Sequence, residues 1–137
     1  MSRGFTILGL DHVVLRVRDL AAMRHFYVEV LGGRIDKEQP DIGLYAIRAG
    51  LSLIDLVPSD GPIGREGGAA PHRDGHNVDH FCLRVDPFDA EAIEAWLRSH
   101  GVKAGPAAKR YGADGTGWSI YLNDPEGNRV ELKGPPS

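Results

Sequence analysis

The sequence contains a single cysteine, Cys82, so no disulfide bond can form within the chain. Disulfides are rare in the reducing cytosol, and this composition fits an intracellular protein. The first residues, MSRGFTILGLDH, contain no apolar run long enough for a signal peptide, and no other stretch approaches the length of a transmembrane helix. We therefore expect a cytoplasmic protein that makes no contact with a membrane.

The chain also lacks an excess of positive charge, since 16 Lys and Arg residues stand against 19 Asp and Glu residues, for a net charge of −3. This balance predicts no basic surface for nucleic acid. Hydrophobic residues make up 42% of the chain and charged residues 26%, which is close to the average of folded proteins. A chain of 137 residues suits one domain with a hydrophobic core of its own.

What the chain does contain is a repeat. The segment LDHVVLRV begins at Leu10 and VDHFCLRV begins at Val78, and five of the eight positions are identical. The two copies lie about half a chain apart, which is the mark of a duplicated half-domain. Because side chains alternate along a strand, His12 and Arg16 share one face of the first copy, and His80 shares the corresponding face of the second.

The same order of elements is predicted around each copy of the repeat. The first half reads as a strand at 8–17, a helix capped by Asp19, and strands at 34–37, 44–49 and 51–57. The second half reads as a strand at 77–85, a helix capped by Asp89, and strands at 102–104, 119–122 and 129–133. The prediction is an α+β fold, a single domain over 8–135 with βαβββ modules at 8–57 and 78–133 and a linker at 58–77. The proline-containing tail, 134–137, is expected to stay outside the sheet because proline lacks an N–H donor.

Each half closes on a strand that carries a carboxylate between apolar residues, Asp55 in the first half and Glu131 in the second. Such a position is disfavoured in a strand unless the carboxylate faces water or meets a cation. If the halves pack by pseudo-symmetry, the faces of His12 and His80 line one cavity. Two imidazoles and two carboxylates then predict a mixed site for one divalent ion, Zn, Ni, Co, Mn or Fe. The alternative is that the histidines are only hydrogen-bonded and the acids face solvent.

A glycine-rich segment at 109–117 precedes the strand that contains Tyr121, and the sequence predicts a mobile loop there. Arg110 and Tyr111 in this loop are candidates for binding an anionic or phenolic substrate, and Tyr121 is a candidate proton donor. The alternative is an ordinary solvated surface loop.

Besides the repeated strands DHVVLRV and DHFCLRV, the sequence contains FYVEVLGG at the end of the first helix and DPEGNRVELKG near the C-terminus. In these four segments and in its two βαβββ halves, the chain resembles the vicinal oxygen chelate superfamily. This superfamily contains glyoxalase I, the fosfomycin- and bleomycin-resistance proteins and the extradiol dioxygenases. The resemblance extends from Leu10 to Lys133. It implies one cavity lined by curved sheets and a homodimer, often with the cavity formed by halves from two chains.

The resemblance also implies a ligand set, because metal-dependent members carry their ligands on the first and last strands of each half. Carried over by motif, the metal ligands are His12, Asp55, His80 and Glu131. Glyoxalase-like members usually have Glu or Gln where this chain has Asp55, which is one methylene shorter. A set of His12, His80 and Glu131 alone would resemble that of fosfomycin-resistance proteins and dioxygenases.

For function, the resemblance implies a metal-dependent enzyme acting on a small oxygenated substrate, as glyoxalase I (lactoylglutathione lyase) does. That reaction isomerises a thiol–aldehyde adduct whose α-proton is moved by a carboxylate. Glu131 is the expected base, Asp55 its counterpart, and Arg16 stands where glyoxalase I binds a glutathione carboxylate. The alternatives are an extradiol dioxygenase, a fosfomycin-type resistance transferase, or a metal-free drug-binding protein of the bleomycin-resistance type.

Overall fold

The computed structural model describes residues 1–137 and contains two four-stranded mixed sheets with two α-helices. The first module comprises β1 (His12–Val17), α1 (Leu20–His25) with a following π-helical turn (Phe26–Val30), β2 (Arg34–Gln39), β3 (Leu44–Ala49) and β4 (Ser52–Pro58). The second comprises β5 (Phe81–Arg84), α2 (Ala90–Ser99), β6 (Ala108–Gly112), β7 (Gly115–Asn123) and β8 (Arg129–Pro136). A short 3₁₀ helix, Gly64–Gly67, lies in the segment between the modules. The predicted α+β fold of two βαβββ modules is confirmed.

The two sheets have the same topology, with strand orders β1-β4-β3-β2 and β5-β8-β7-β6. In each sheet the first strand of the module runs parallel to the last, and the other neighbours are antiparallel. Val14 is therefore in register with Asp55, and Cys82 is in register with Glu131. This pairing brings the histidine-bearing strand of each module beside the strand that carries the acid.

Both helices begin where the sequence predicts a cap. The carboxylate of Asp19 accepts a hydrogen bond from the backbone N–H of Ala22 at 3.0 Å, and that of Asp89 accepts one from Ala92 at 3.2 Å. These bonds satisfy donors that a helix leaves free in its first turn. None of the helices is long and apolar enough to cross a membrane.

The hydrophobic core is continuous across the two modules. It contains side chains from both sheets, from the segment after α1 and from α2: Leu15, Val17, Met23, Phe26, Tyr27, Val30, Ile47, Ile54, Leu56, Leu97, Ile120, Leu122, Val130 and Leu132. Tyr27 lies at the junction, where its hydroxyl donates to Asp124 of the second module at 2.7 Å. Burial, reinforced by the charge of Asp124, raises the pKa of Tyr27 far above its ordinary value. The two modules therefore share one hydrophobic core.

Two polar side chains from outside the first module bind the end of β1, Asn77 at the end of the joining segment and Glu126 in the second module. The side-chain amide of Asn77 accepts from the backbone N–H of Arg16 and donates to its carbonyl, both at 3.0 Å, as a neighbouring strand would. The carboxylate of Glu126 accepts from the backbone N–H groups of Arg18 and Asp19 at 2.7–2.9 Å. Both side chains satisfy backbone groups at the edge of the first sheet.

The second module differs from the prediction between α2 and β7. Residues 102–104 form no strand, and residues 108–112, expected in part as a mobile loop, form β6. Together with β7 this strand makes a tight hairpin in which Gly112 lies opposite Gly115. The glycine-rich composition therefore marks a turn between paired strands, because glycine is favoured where a hairpin reverses direction.

The proline tail also differs from the prediction, since β8 extends to Pro136 and pairs with Gly117 of β7. A Cβ atom at Gly117 would lie 2.5 Å from the carbonyl oxygen of Pro135, so glycine permits this close approach. Proline lacks a donor but keeps its carbonyl acceptor, and β5 already ends at Arg84. The tail can thus continue along β7 where β8 has lost its other neighbour. The first strands of the modules are also shorter than predicted, beginning at His12 and Phe81.

Candidate functional site

The first half-site consists of His12, Asp55 and Asp11 and lies where β1 runs beside β4. The Nε2 atom of His12 is 3.9 Å from the Oδ2 atom of Asp55, and its Nδ1 atom is 2.7 Å from the Oδ2 atom of Asp11. Asp55 is 6% exposed, and its Oδ1 atom has no hydrogen-bond partner. The imidazole therefore lies between one solvent-facing carboxylate and one buried carboxylate.

The charged groups of this half-site shift one another's pKa values. Burial raises the pKa of Asp55, and the opposite charge of His12 partly offsets this effect. The hydrogen bond that His12 donates to Asp11, followed by the charge of Asp55, raises the pKa of His12. A cation close to the buried carboxylate of Asp55 would therefore stabilise its charged form.

The second half-site consists of His80, Glu131 and Asp79 and repeats this geometry at β5 and β8. The Nε2 atom of His80 is 3.4 Å from the Oε1 atom of Glu131, and its Nδ1 atom is 2.6 Å from the Oδ2 atom of Asp79. Glu131 is 5% exposed. The hydrogen bond with His80 lowers the pKa of Asp79, and the charge of Arg129 acts in the same direction.

The sequence prediction did not include Asp11 and Asp79 among the site residues. In both half-sites this aspartate binds Nδ1, while Nε2 faces the buried acid. A carboxylate on the outer nitrogen is the usual way in which proteins fix the tautomer and orientation of a metal-binding histidine. The signal was present in the sequence, because the repeat conserves the Asp-His dipeptide and not the histidine alone.

Each histidine–carboxylate pair has the donor atoms that a divalent cation prefers. Imidazole nitrogen and carboxylate oxygen are suitable donors for Zn²⁺ and its neighbours, and the unpartnered Oδ1 of Asp55 is a buried acceptor without a donor. Within one chain the structure brings these donors together as two pairs, His12 with Asp55 and His80 with Glu131. No group of three or more such side chains lies close enough to hold a metal ion. The four-ligand set stays a prediction.

Tyr121 and Arg110 lie at the second half-site. Tyr121 is in register with Glu131, and its ring meets that of His80 edge to face with 5.5 Å between the centroids. The guanidinium carbon of Arg110 is 4.3 Å from the centroid of the Tyr121 ring. Tyr111 is 85% exposed and, by the alternation of the strand, projects from the other face of β6. The binding role predicted for Tyr111 is not tested by this arrangement.

Arg16 is held by the segment that joins the modules. Its guanidinium donates to the backbone carbonyls of Gly64, Gly67, Gly68 and Ala69. These bonds fix the joining segment over β1 and occupy the donors of the side chain. The role of Arg16 in binding a substrate carboxylate stays a prediction.

Cys82 lies beside Glu131 on the face of the second half-site. Burial, and then the charge of Glu131, raises the pKa of this thiol to about 11. The thiol is therefore protonated at neutral pH, which argues against a nucleophilic role.

Comparison with known families agrees with this architecture. The sequence matches the family described as the Glyoxalase/Bleomycin resistance protein/Dioxygenase superfamily over residues 9–132. The chain belongs to this superfamily, and the resemblance to the vicinal oxygen chelate proteins is confirmed.

Individual relatives differ in what they are named for. The chain is 28% identical over 128 residues to biphenyl-2,3-diol 1,2-dioxygenase 3 of Rhodococcus globerulus, with 90% of this chain and 62% of that protein covered. It thus spans about three fifths of the length of that relative. It is 30% identical over 124 residues to virulence protein STM3117 of Salmonella typhimurium, with 90% of this chain and 81% of that protein covered.

Two solved structures have the same fold. The crystal structure of STM3117 has a TM-score of 0.78 at 23% identity, with 96% of this chain and 99% of that chain covered. An integron cassette protein from the mobile metagenome of V. cholerae has a TM-score of 0.74 at 27% identity, with 95% and 97% covered. The superfamily is therefore fixed by sequence and by structure, whereas the names of the relatives point to no single reaction.

Proposed function

We propose that this protein is a metal-dependent enzyme that isomerises a small oxygenated substrate, as glyoxalase I does. The observation that carries the proposal is the pairing, in both modules, of a histidine Nε2 atom with a buried carboxylate, at 3.9 Å and 3.4 Å. A buried carboxylate is costly unless a cation or donors compensate it. Together the two pairs supply two imidazole nitrogens and two carboxylates, which are enough ligands for a single divalent ion.

We place the complete site between two copies of the chain, where the first half-site of one chain faces the second half-site of the other. A two-fold dimer would contain two such sites, since each chain contributes both kinds of half-site. In support, the two pairs belong to different sheets, and β1 and β5 each form the edge of its own sheet.

The segment before β1 adds support for a dimer. Its apolar side chains are open to solvent: Phe5 is 63% exposed, Ile7 81%, Leu8 96% and Leu10 89%. Contiguous exposed apolar surface of this kind marks an interaction site. Because this segment leads directly into His12, a partner that covers it would lie against the first half-site.

The chemistry requires a cation and a base. When bound, a divalent ion would supply the positive charge that polarises adjacent oxygens of the substrate. His12, Asp55, His80 and Glu131 would hold it. Glu131 would take a proton from one carbon and return it to the neighbouring carbon, because it is the acid that lies beside Tyr121. Asp55 would be its counterpart on the other side of the substrate. Tyr121 would donate a proton to one substrate oxygen and regain one from the hydroxyl group on the neighbouring carbon.

An extradiol dioxygenase is the second candidate function. The sequence similarity to biphenyl-2,3-diol 1,2-dioxygenase 3 favours it. In that case His12, His80 and Glu131 would hold Fe²⁺, and Asp55 would stay outside the ligand set. The fosfomycin-type transferase uses the same three residues, whereas a drug-binding protein of the bleomycin-resistance type needs no metal.

Metal titration of the purified protein tests the proposal. Calorimetry with Zn²⁺, Ni²⁺, Co²⁺, Mn²⁺ and Fe²⁺ should detect one ion per chain. His12→Ala should weaken its binding more than about 100-fold, since changes outside the ligand set already cost about 10–100-fold. His25→Ala, an exposed histidine at the end of α1, is the matched control and should bind as the wild type does.

Substrate assays of the metal-loaded protein then separate the reactions. Turnover of the methylglyoxal–glutathione adduct supports isomerisation, and ring cleavage of a catechol with Fe²⁺ supports the dioxygenase. Thiol addition to fosfomycin supports the transferase. A protein that binds none of the metals, and in which His12→Ala changes nothing, would contradict the proposal.

A further inference from the structure

Two guanidinium groups beside the second half-site have no acidic partner. Neither Arg110 on β6 nor Arg129 at the start of β8 has a carboxylate oxygen within 4.0 Å, the limit for an ion pair. Arg18, Arg24, Arg48, Arg84 and Arg98 form ion pairs at 2.7–3.7 Å, whereas Arg3, Arg16, Arg34, Arg65 and Arg73 form none. Neither guanidinium is therefore held in a direct ion pair, and the nearby carboxylate that feels the charge of Arg129 is that of Asp79.

Both guanidinium groups lie against the ring of Tyr121. The Cζ atom of Arg110 is 4.3 Å from the ring centroid, and that of Arg129 is 5.4 Å from it. Because β7 lies between β6 and β8, the two arginines approach Tyr121 from the neighbouring strand on each side. Such contacts are attractive and orient the planar guanidinium.

Most donors of this pair are free. Arg110 donates through Nη1 to the carbonyl and hydroxyl oxygens of Ser119, at 2.8 and 2.9 Å, and makes no other side-chain hydrogen bond. Arg129 makes no side-chain hydrogen bond at all, and it lines an open cleft of about 610 Å³ together with His76 and Asp79. One guanidinium is thus fixed by the sheet, and the other lines an open cleft beside Asp79.

The arrangement is not part of the repeat. Ala46 occupies the position opposite Asp55 that Tyr121 occupies opposite Glu131. Leu53, two residues before Asp55, stands where Arg129 stands two residues before Glu131. A feature that one module has and the other lacks is not required by the βαβββ fold itself. Its position beside His80 connects it to the chemistry of the second half-site.

We propose that Arg110 and Arg129, held on Tyr121, bind a carboxylate group of the substrate next to the second half-site. This inference rests on the proposed function for the identification of that ligand as the substrate. The fork of donors of a guanidinium matches the two oxygens of a carboxylate, and charge-assisted hydrogen bonds of this kind are strong. The substrate class is therefore a small organic acid whose other oxygens reach the metal ligands.

A pair of probes that differ only in a carboxylate tests the inference. Catechol and 3,4-dihydroxybenzoate have the same two adjacent hydroxyl groups, and only 3,4-dihydroxybenzoate also carries a carboxylate group. Calorimetric titration of the metal-free protein should show that 3,4-dihydroxybenzoate binds about tenfold or more tightly than catechol, as expected for charge-assisted recognition. Arg129→Gln should abolish this preference without altering the affinity for catechol.

Two further variants separate recognition from folding. Arg110→Lys keeps the charge and loses the fork, so the preference should fall while the melting temperature stays close to that of the wild type. Arg98→Gln, at an exposed arginine on α2 that is paired with Glu94, is the matched control and should retain the full preference. Equal affinities of the wild type for the two probes, or no binding of either, would overturn the inference. So would a full preference in Arg129→Gln.

Metal titration of the same samples keeps this result distinct from the proposed function. If the carboxylate preference is present but no metal binds, the proposed metal enzyme is wrong and the anion site stands. If metal binds but the preference is absent, only the anion site is wrong.

Discussion

The two half-sites hold the same histidine–carboxylate pair in different surroundings. Asp55 is flanked in register by Val14 and Ala46, which are apolar and small. Glu131 is flanked at the corresponding positions by Cys82 and Tyr121. Both modules therefore have the histidine–carboxylate pair, whereas the side chains around the pair differ.

The arginines of the two modules also have different surroundings. Arg16 of the first module donates to four carbonyls of the joining segment and so stabilises the fold. Arg84, its equivalent in the repeat, forms a 2.7 Å ion pair with Asp114. Arg110 and Arg129 have no counterpart pair in the first module. Under the two proposals, both half-sites would bind the metal ion and the second would also recognise the substrate.

Among the changes that compare the two half-sites, the largest effect is expected from replacing the aspartates that bind the Nδ1 atoms of the histidines. Asp11→Asn and Asp79→Asn should each weaken metal binding by about 10–100-fold, because a carboxylate on Nδ1 fixes the ring and raises the basicity of the ligand. Similar losses in both variants would show that the half-sites contribute equally to the ion. Calorimetric titration with Zn²⁺ measures the change.

Asp41→Asn provides the control, since Asp41 is exposed and lies outside both half-sites. Nitrogen NMR of the metal-free protein adds a measurement that overall stability does not affect. It should show the proton on Nδ1 and a bare Nε2 in both histidines of the wild type. Metal binding that is unchanged in both aspartate variants would contradict this role.

A smaller effect, on stability, is expected to distinguish Asp55. Its pKa in the folded state is raised above the ordinary value of 3.8 by burial, so the folded protein binds more protons than the unfolded chain in that range. Stability should therefore fall as pH rises from 3.8 through the folded-state pKa, and the loss should be complete above it. Asp55→Asn removes the charge and should raise the melting temperature of the metal-free protein at pH 7. The expected gain is a few degrees, since each kcal/mol shifts the melting temperature of small domains by about 2–8 °C.

Thermal unfolding at several pH values checks this expectation. The gain should shrink towards pH 3.8, where the carboxyl group of the wild type becomes neutral as well. In saturating Zn²⁺ the order should reverse, because the wild type then gains stability from the bound ion. A variant less stable than the wild type at pH 7 without metal would show that the attraction between Asp55 and His12 outweighs the cost of burial.

Local patterns in the sequence predicted most of the fold. The caps at Asp19 and Asp89 and the alternation around His12 and His80 depend on neighbouring residues, and the structure has them. The hairpin of β6 and β7 was missed because the segment Ala108–Gly112 has little β propensity of its own, and its pairing with β7 decides its conformation. The extension of β8 to Pro136 likewise depends on a tertiary contact.

The candidate site was predictable in part for the same reason. Strand alternation and the repeat bring each histidine to the neighbouring acid, and both pairs form. How two sheets are placed relative to each other, or to those of a second chain, leaves no periodicity in the sequence. Arg110, Tyr121 and Arg129 come from three different strands, so only the folded sheet brings them together.

Mixing two inactive variants tests the central claim most directly. In a dimer with shared sites, a chain carrying His12→Ala and a chain carrying His80→Ala together form one site with both substitutions and one site with neither. Refolding the two variants together at equal concentration should restore about one quarter of the wild-type metal sites, because about half of the dimers are mixed and each has one intact site. The wild type alone should bind one ion per chain, and each variant alone should bind weakly. A mixture that binds no more metal than the separate variants would contradict the sharing of half-sites between two chains.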